Sequence, residues 1–89
     1  MAPRFLDVQM SGKGRYSIGR DTQTGGWFLS IPVANMMVDY EEYYRLTKSE
    51  YDQFGQDGEA ALAFAEACRM HTHDDRLILE PGSDRGKPV

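Results

Sequence analysis

The stretch Asp57–Met70, DGEAALAFAEACRM, constrains the fold more than any other part of the chain. Ala61, Phe64, Ala65 and Cys68 recur at i, i+3, i+4 and i+7 with Leu62 beside them, which is the apolar stripe of an amphipathic helix. Asp57 is placed to cap the free amides of the first turn, and no proline interrupts the run to Met70. Glu59, Glu66 and Arg69 lie off the stripe, and Glu66 with Arg69 forms an i, i+3 pair worth about 0.3 kcal/mol. A stripe built mainly of alanine lets the helix lie close to its partner layer, and a one-faced helix needs such a layer.

The preceding residues supply it. Arg4–Met10 alternates, with Leu6, Val8 and Met10 on one side and Phe5, Asp7 and Gln9 on the other, the period of a half-buried strand. Ser11–Gly14 turns the chain, and Arg15–Arg20 returns through Tyr16 and Ile18 to make a hairpin. After the turn Asp21–Gly26 comes the strongest strand pattern: Trp27, Leu29, Ile31 and Val33 face one way, Phe28 and Ser30 the other. Pro32 cannot donate to a ladder, so it is expected to end this strand or place it at a sheet edge. Ala34–Met37 reads as a connection. From Val38 to Leu46 alternation resumes, with Val38, Tyr40, Tyr44 and Leu46 opposite Asp39, Glu41, Tyr43 and Arg45. Glu42 breaks the apolar set, which leaves a strand end near water, a bulge, or a register slip of one residue.

Thr47-Lys48-Ser49-Glu50 spells a capping box, so a short helix is expected from Lys48, turning Tyr51 and Phe54 inward, before Gly55–Gly58 breaks it. Beyond the main helix, His71–Asp75 reads as a connection and Arg76–Glu80 as a last strand stopped by Pro81 and Gly82. The order predicts an α+β fold: a mainly antiparallel sheet of 4–5 strands with one main and one short helix packed on one face. Residues 1–82 would form a single domain and 83–89 a loosely held C-terminal tail.

A chain of 89 residues has room for one core, burying roughly 60–65% of its unfolded surface. Its net charge of -4 argues against phosphate-backbone binding and leaves room for a basic protein partner. No apolar run approaches the ~20 residues of a membrane span, and a cytoplasmic protein is expected. The single cysteine, Cys68, lies on the buried stripe with neither histidine placed as its base, so it reads as a core residue and not a nucleophile.

His71, His73, Asp74 and Asp75 combine imidazole with carboxylate, donors that suit zinc or iron, and would serve a small metal-dependent enzyme. The H-x-H-x-D-H arrangement of metallo-hydrolases is not matched, however, and a solvated linker near a helix C-terminus accounts for the same residues. Gly12-Lys13-Gly14 lacks the remainder of a phosphate-binding loop and sits between strands. The expectation is therefore a non-enzyme with no cofactor and no metal.

The most informative surface is 39–57, where Asp39, Glu41, Glu42, Glu50, Asp52 and Asp57 face only Arg45 and Lys48, a local charge of -4. Tyr40, Tyr43, Tyr44 and Tyr51 lie in the same stretch. Phenol rings supply rigid contact area while acids steer a basic partner, so these ten residues are the candidate partner-binding set.

At Asp39-Tyr40-Glu41-Glu42-Tyr43-Tyr44, and at Gly19-Arg20-Asp21, Thr24-Gly25-Gly26-Trp27-Phe28 and Asp74-Asp75-Arg76 with Pro81-Gly82-Ser83-Asp84-Arg85-Gly86, the chain resembles small bacterial immunity proteins that accompany polymorphic or contact-dependent toxins. The resemblance spans about half the chain and fixes no binding residue. It implies a cytosolic, non-enzymatic inhibitor that binds the toxic domain of a cognate effector, often a basic nuclease. The remaining alternative is a structural or regulatory subunit that self-associates through a sheet edge.

Overall fold

The computed structural model describes residues 3–35, 39–81 and 85–89. Strands β1 (Phe5–Ser11), β2 (Tyr16–Asp21), β3 (Gly26–Ala34) and β4 (Asp39–Leu46) pair in sequence order, each antiparallel to the next. Helices α1 (Lys48–Gln56) and α2 (Gly58–Arg69) come after them. The α+β architecture expected from the strand-then-helix order is the one observed.

Local chemistry sets both helix starts. Thr47 accepts from the Glu50 amide while the Glu50 carboxylate accepts from the Thr47 amide, the reciprocal box that opens α1. Asp57 stops α1 and caps α2, its side chain accepting from the amides of Glu59 and Ala60, a cap worth about 1 kcal/mol. Ala61, Phe64, Ala65 and Cys68 are the buried positions of α2. They pack with Phe54 of α1 against Ile18, Leu29, Ile31, Val33, Tyr44 and Leu46 on the inner face of the sheet. Burial there pushes the Cys68 thiol up to about 12, the condition of an inert core sulfur.

The outer face carries a second, smaller cluster. Phe28 is fully buried between Phe5 and Tyr43, edge-on to both rings, while Phe5 and Tyr43 stack at 3.8 Å. Phe5 belongs to β1 and Tyr43 to β4, so β1 must lean across the outer face to close this contact. Two features allow it. The ladder shifts register between Asp7 and Gln9, a bulge at Val8 that adds local twist. Gly19 lies beneath the crossing, where any Cβ would overlap the Leu6 carbonyl. Arg4 then covers Phe5 at 4.9 Å and forks onto buried Asp21 through two hydrogen bonds of 3.1 Å.

The bulge overturns one expectation. Leu6, Val8 and Met10 do not share a buried face: they are 47, 56 and 72% exposed. Before the shift Leu6 pairs with Arg20, whereas after it Gln9 takes the place opposite Ile18 and Met10 lies opposite Ser17. Alternation in the sequence continues through a residue that the ladder skips.

Pro32 neither ends β3 nor puts it at an edge; the strand runs on to Ala34. β2 pairs with β3 only as far as Ser30, and a short strand β5 (Lys87–Pro88) takes over at Val33 and Ala34. Because β4 occupies the other side of β3 throughout, β2 and β5 share one side end to end. The Pro32 carbonyl accepts from the Val89 amide, so the donorless Pro32 nitrogen faces the gap between these two strands, where no ladder bond is lost.

The expected strand Arg76–Glu80 is also corrected. Asp74–Arg76 is a 3-10 turn, Leu77 makes a single antiparallel bridge to Tyr44, and Leu79 is half-exposed. The segment still covers the β4 edge, with the Ile78 amide donating to the Tyr43 carbonyl and Arg76 to that of Arg45. The fifth strand comes from the end expected to hang loose: residues 85–89 are docked, Gly86 so closely that a Cβ would overlap the Ala34 carbonyl. Of the tail, Ser83 and Asp84 lie outside the described residues, as do Met36, Met37 and Val38 of the expected connection and strand start. Among the described residues no helix is long and apolar enough to cross a membrane.

Candidate functional site

The ten residues of the acidic, tyrosine-rich stretch fall into three environments. Along β4 the side chains alternate across the sheet, so Asp39, Glu41 and Tyr43 are on the outer face and Tyr40, Glu42 and Tyr44 on the inner one. Glu50, Tyr51, Asp52 and Asp57 lie on or beside α1. A single patch containing all ten is not formed.

On the outer face, the Glu41 carboxylate accepts from the Ser30 hydroxyl at 3.2 Å and from the Tyr43 hydroxyl at 3.4 Å. Burial, with the nearby charges of Glu41 and Asp7, pushes the Tyr43 phenol up to about 12, so it stays a neutral donor. Asp7, Asp39 and Glu41 are all exposed, and none has an ion-pair partner among the described residues. Arg45 closes the outer row of β4 at its far end, opposite Phe28. Asp7 belongs to this group although it lies far from it in sequence.

On the inner face, Glu42 is 5% exposed and Tyr44 fully buried, so neither presents a surface. The Tyr44 hydroxyl donates to Glu42 at 2.8 Å, and burial raises its pKa. Glu42 keeps the strand register after all; neither a bulge nor a slip places it there. Arg85 neutralises it, with Nε and Nη2 donating to the Glu42 oxygens at 2.7 and 3.0 Å. The same guanidinium forks onto Asp74 at 2.8 and 3.0 Å, holding that carboxyl below its usual range and raising its own pKa. The Tyr40 hydroxyl accepts from the Gly86 amide at 2.7 Å. No apolar pattern in the tail marks Arg85, whose partners are 43 and 11 residues away.

The helix residues are occupied by structure. Burial opposes the Glu50 charge, yet hydrogen bonds from Arg76 at 2.7 Å and from the Thr47 amide outweigh it and hold its carboxyl below the usual range. Tyr51 packs toward Trp27 at 6.2 Å between ring centres. Asp52 pairs with Lys48 on the surface, and Asp57 is the α2 cap.

The histidine segment is dispersed. His71 is exposed with φ 61°, His73 stacks on Phe64 at 4.4 Å, Asp74 is held by Arg85 and Asp75 is exposed. Among the described residues no group of three or more His, Cys, Asp or Glu side chains is placed to hold a metal ion. An open groove of about 820 Å³ lies between the β1–β2 turn, the start of α2 and the C-terminal strand. Lys13 and Arg15 rim one side, Asp57, Glu59 and Glu66 the other, and neither a histidine nor Cys68 lines it. The chain matches no family model, no curated protein and no solved structure.

Proposed function

We propose that the protein is an immunity-type inhibitor, acting in the cytoplasm, that binds and neutralises a cognate bacterial toxin domain with a basic surface. The contact face is the outer side of the sheet, where Asp7 and Glu41 flank the half-buried Tyr43 and Asp39 continues the same row of β4 beyond Glu41. The observation that carries this reading is the uncompensated charge: these acids have no ion-pair partner among the described residues, whereas Glu42, Glu50 and Asp74 are each held by an arginine and Asp52 by Lys48 on the surface. Unpaired surface acids beside a rigid aromatic steer a cationic partner and supply contact area when it arrives. The resemblance to immunity proteins agrees with this chemistry.

Co-expression with the C-terminal domain of the protein encoded immediately upstream tests the reading. Growth rescue with co-purification is the expected result, and Asp39→Lys with Glu41→Lys should slow association at least tenfold at low salt and flatten its salt dependence. Unaltered association kinetics would remove this face from consideration.

One observation favours a second reading, a self-associating subunit: the outer edge of β1 has no strand partner among the described residues and presents Leu6, Val8 and Met10 to solvent. Light scattering on the isolated protein separates the two, since only the subunit is an oligomer without a toxin.

A further inference from the structure

Arg85 is held unlike any other cation among the described residues. Four of its five N–H groups donate to two carboxylates on different elements, Glu42 on β4 and Asp74 in the turn after α2. The receiving groups are fixed independently of it. Glu42 sits within the β3–β4 ladder, 5% exposed, and takes the Tyr44 hydroxyl. Asp74 is placed by the 3-10 turn, which the Leu77 bridge ties to Tyr44. The segment that carries the guanidinium has much less holding it: a two-residue strand, the Gly86 bond to Tyr40 and the Val89 bond to Pro32. A two-residue strand has little stability of its own. The receptor is preorganised, and its occupant is a tethered ligand.

We propose that Glu42, held in place by the Tyr44 hydroxyl, and Asp74 form a guanidinium-binding site, that Arg85 fills it intramolecularly, and that a guanidinium supplied from outside occupies it when Arg85 is absent. Vacated, the site holds two carboxylates with no cation, which drives refilling. Paired forks select a planar guanidinium over a point-charge ammonium. The site is on the inner face, so the proposal does not depend on the toxin-binding reading of the outer one.

The test uses the full chain with Arg85→Ala and agmatine as the probe. At about five times its dissociation constant, agmatine should raise the melting temperature by about 4–8 °C, and the shift should keep growing with the logarithm of agmatine concentration. Wild type, whose site is filled, should not shift, nor should Arg85→Ala carrying Glu42→Gln, and butylamine at equal concentration should have no effect. Rescue by the blocked tripeptide Gly-Arg-Gly as well would open the site to arginines of other proteins; rescue by agmatine alone would restrict it to small guanidino compounds. No shift with agmatine, or an equal shift with butylamine, overturns the proposal. Should the variant not fold, the wild type decides: the Arg85 Nε proton should be protected from exchange in NMR, and rapid exchange there would refute a closed site.

Discussion

Glu41 and Glu42 are neighbours in the chain and opposites in the fold. Glu41 stands on the outer face among Asp7, Asp39 and Tyr43, open to water and with no ion-pair partner among the described residues. Glu42, one residue on, is buried beneath α2 with a hydroxyl and a guanidinium around it. The contrast teaches that charge density along a strand says little about charge on a surface, because the pleat assigns successive residues to different sides. Charge that finds an internal partner holds the molecule together; charge that does not remains available for binding.

Breaking the inner side should have the largest effect. Arg85→Ala leaves a buried carboxylate without its partner, and denaturant unfolding should show a loss of about 3–5 kcal/mol. Next comes Tyr44→Phe, which removes one hydroxyl donor from Glu42 and should cost about 1–3 kcal/mol by the same measurement.

Acid sharpens the contrast further. Asp74 and Asp21 have folded pKa values held down by hydrogen bonds from Arg85 and Arg4. Each therefore adds stability above the ordinary carboxylate pKa of about 4, and this is lost as pH falls through the lower folded value. Thermal melts from pH 6 to 2 should show this decline, and Arg85→Ala should remove the Asp74 part of it. Smallest of all, Glu41→Gln should change stability by less than about 0.5 kcal/mol, its effect under the proposed function falling on association instead. A large loss from Glu41→Gln would erase the distinction between the two sides.

Much of this architecture is legible in residue spacing. The α2 stripe, the capping box at Thr47–Glu50 and the Trp27–Val33 alternation are local signals, and each appears where its chemistry requires. What spacing does not reveal depends on distant partners. Glu42 reads as a fault in a strand because its compensation comes from Arg85, in a segment with no apolar pattern. Leu77 and Leu79 have strand period, but beside β4 only Leu77 finds a bridge. For the candidate site, the alternation of β4 is readable and already divides the acids between two sides, while the arrival of Asp7 beside Tyr43 requires the lean of β1.

The extra residue at Val8 bears on solubility as well as shape. Among the described residues the outer edge of β1 is unpaired and its apolar side chains stand in water, the kind of margin on which neighbouring molecules can zip into fibrils. A kinked ladder offers an incoming chain no continuous run of evenly spaced amides, so the same distortion favours at most a short, closed contact between copies over open-ended stacking.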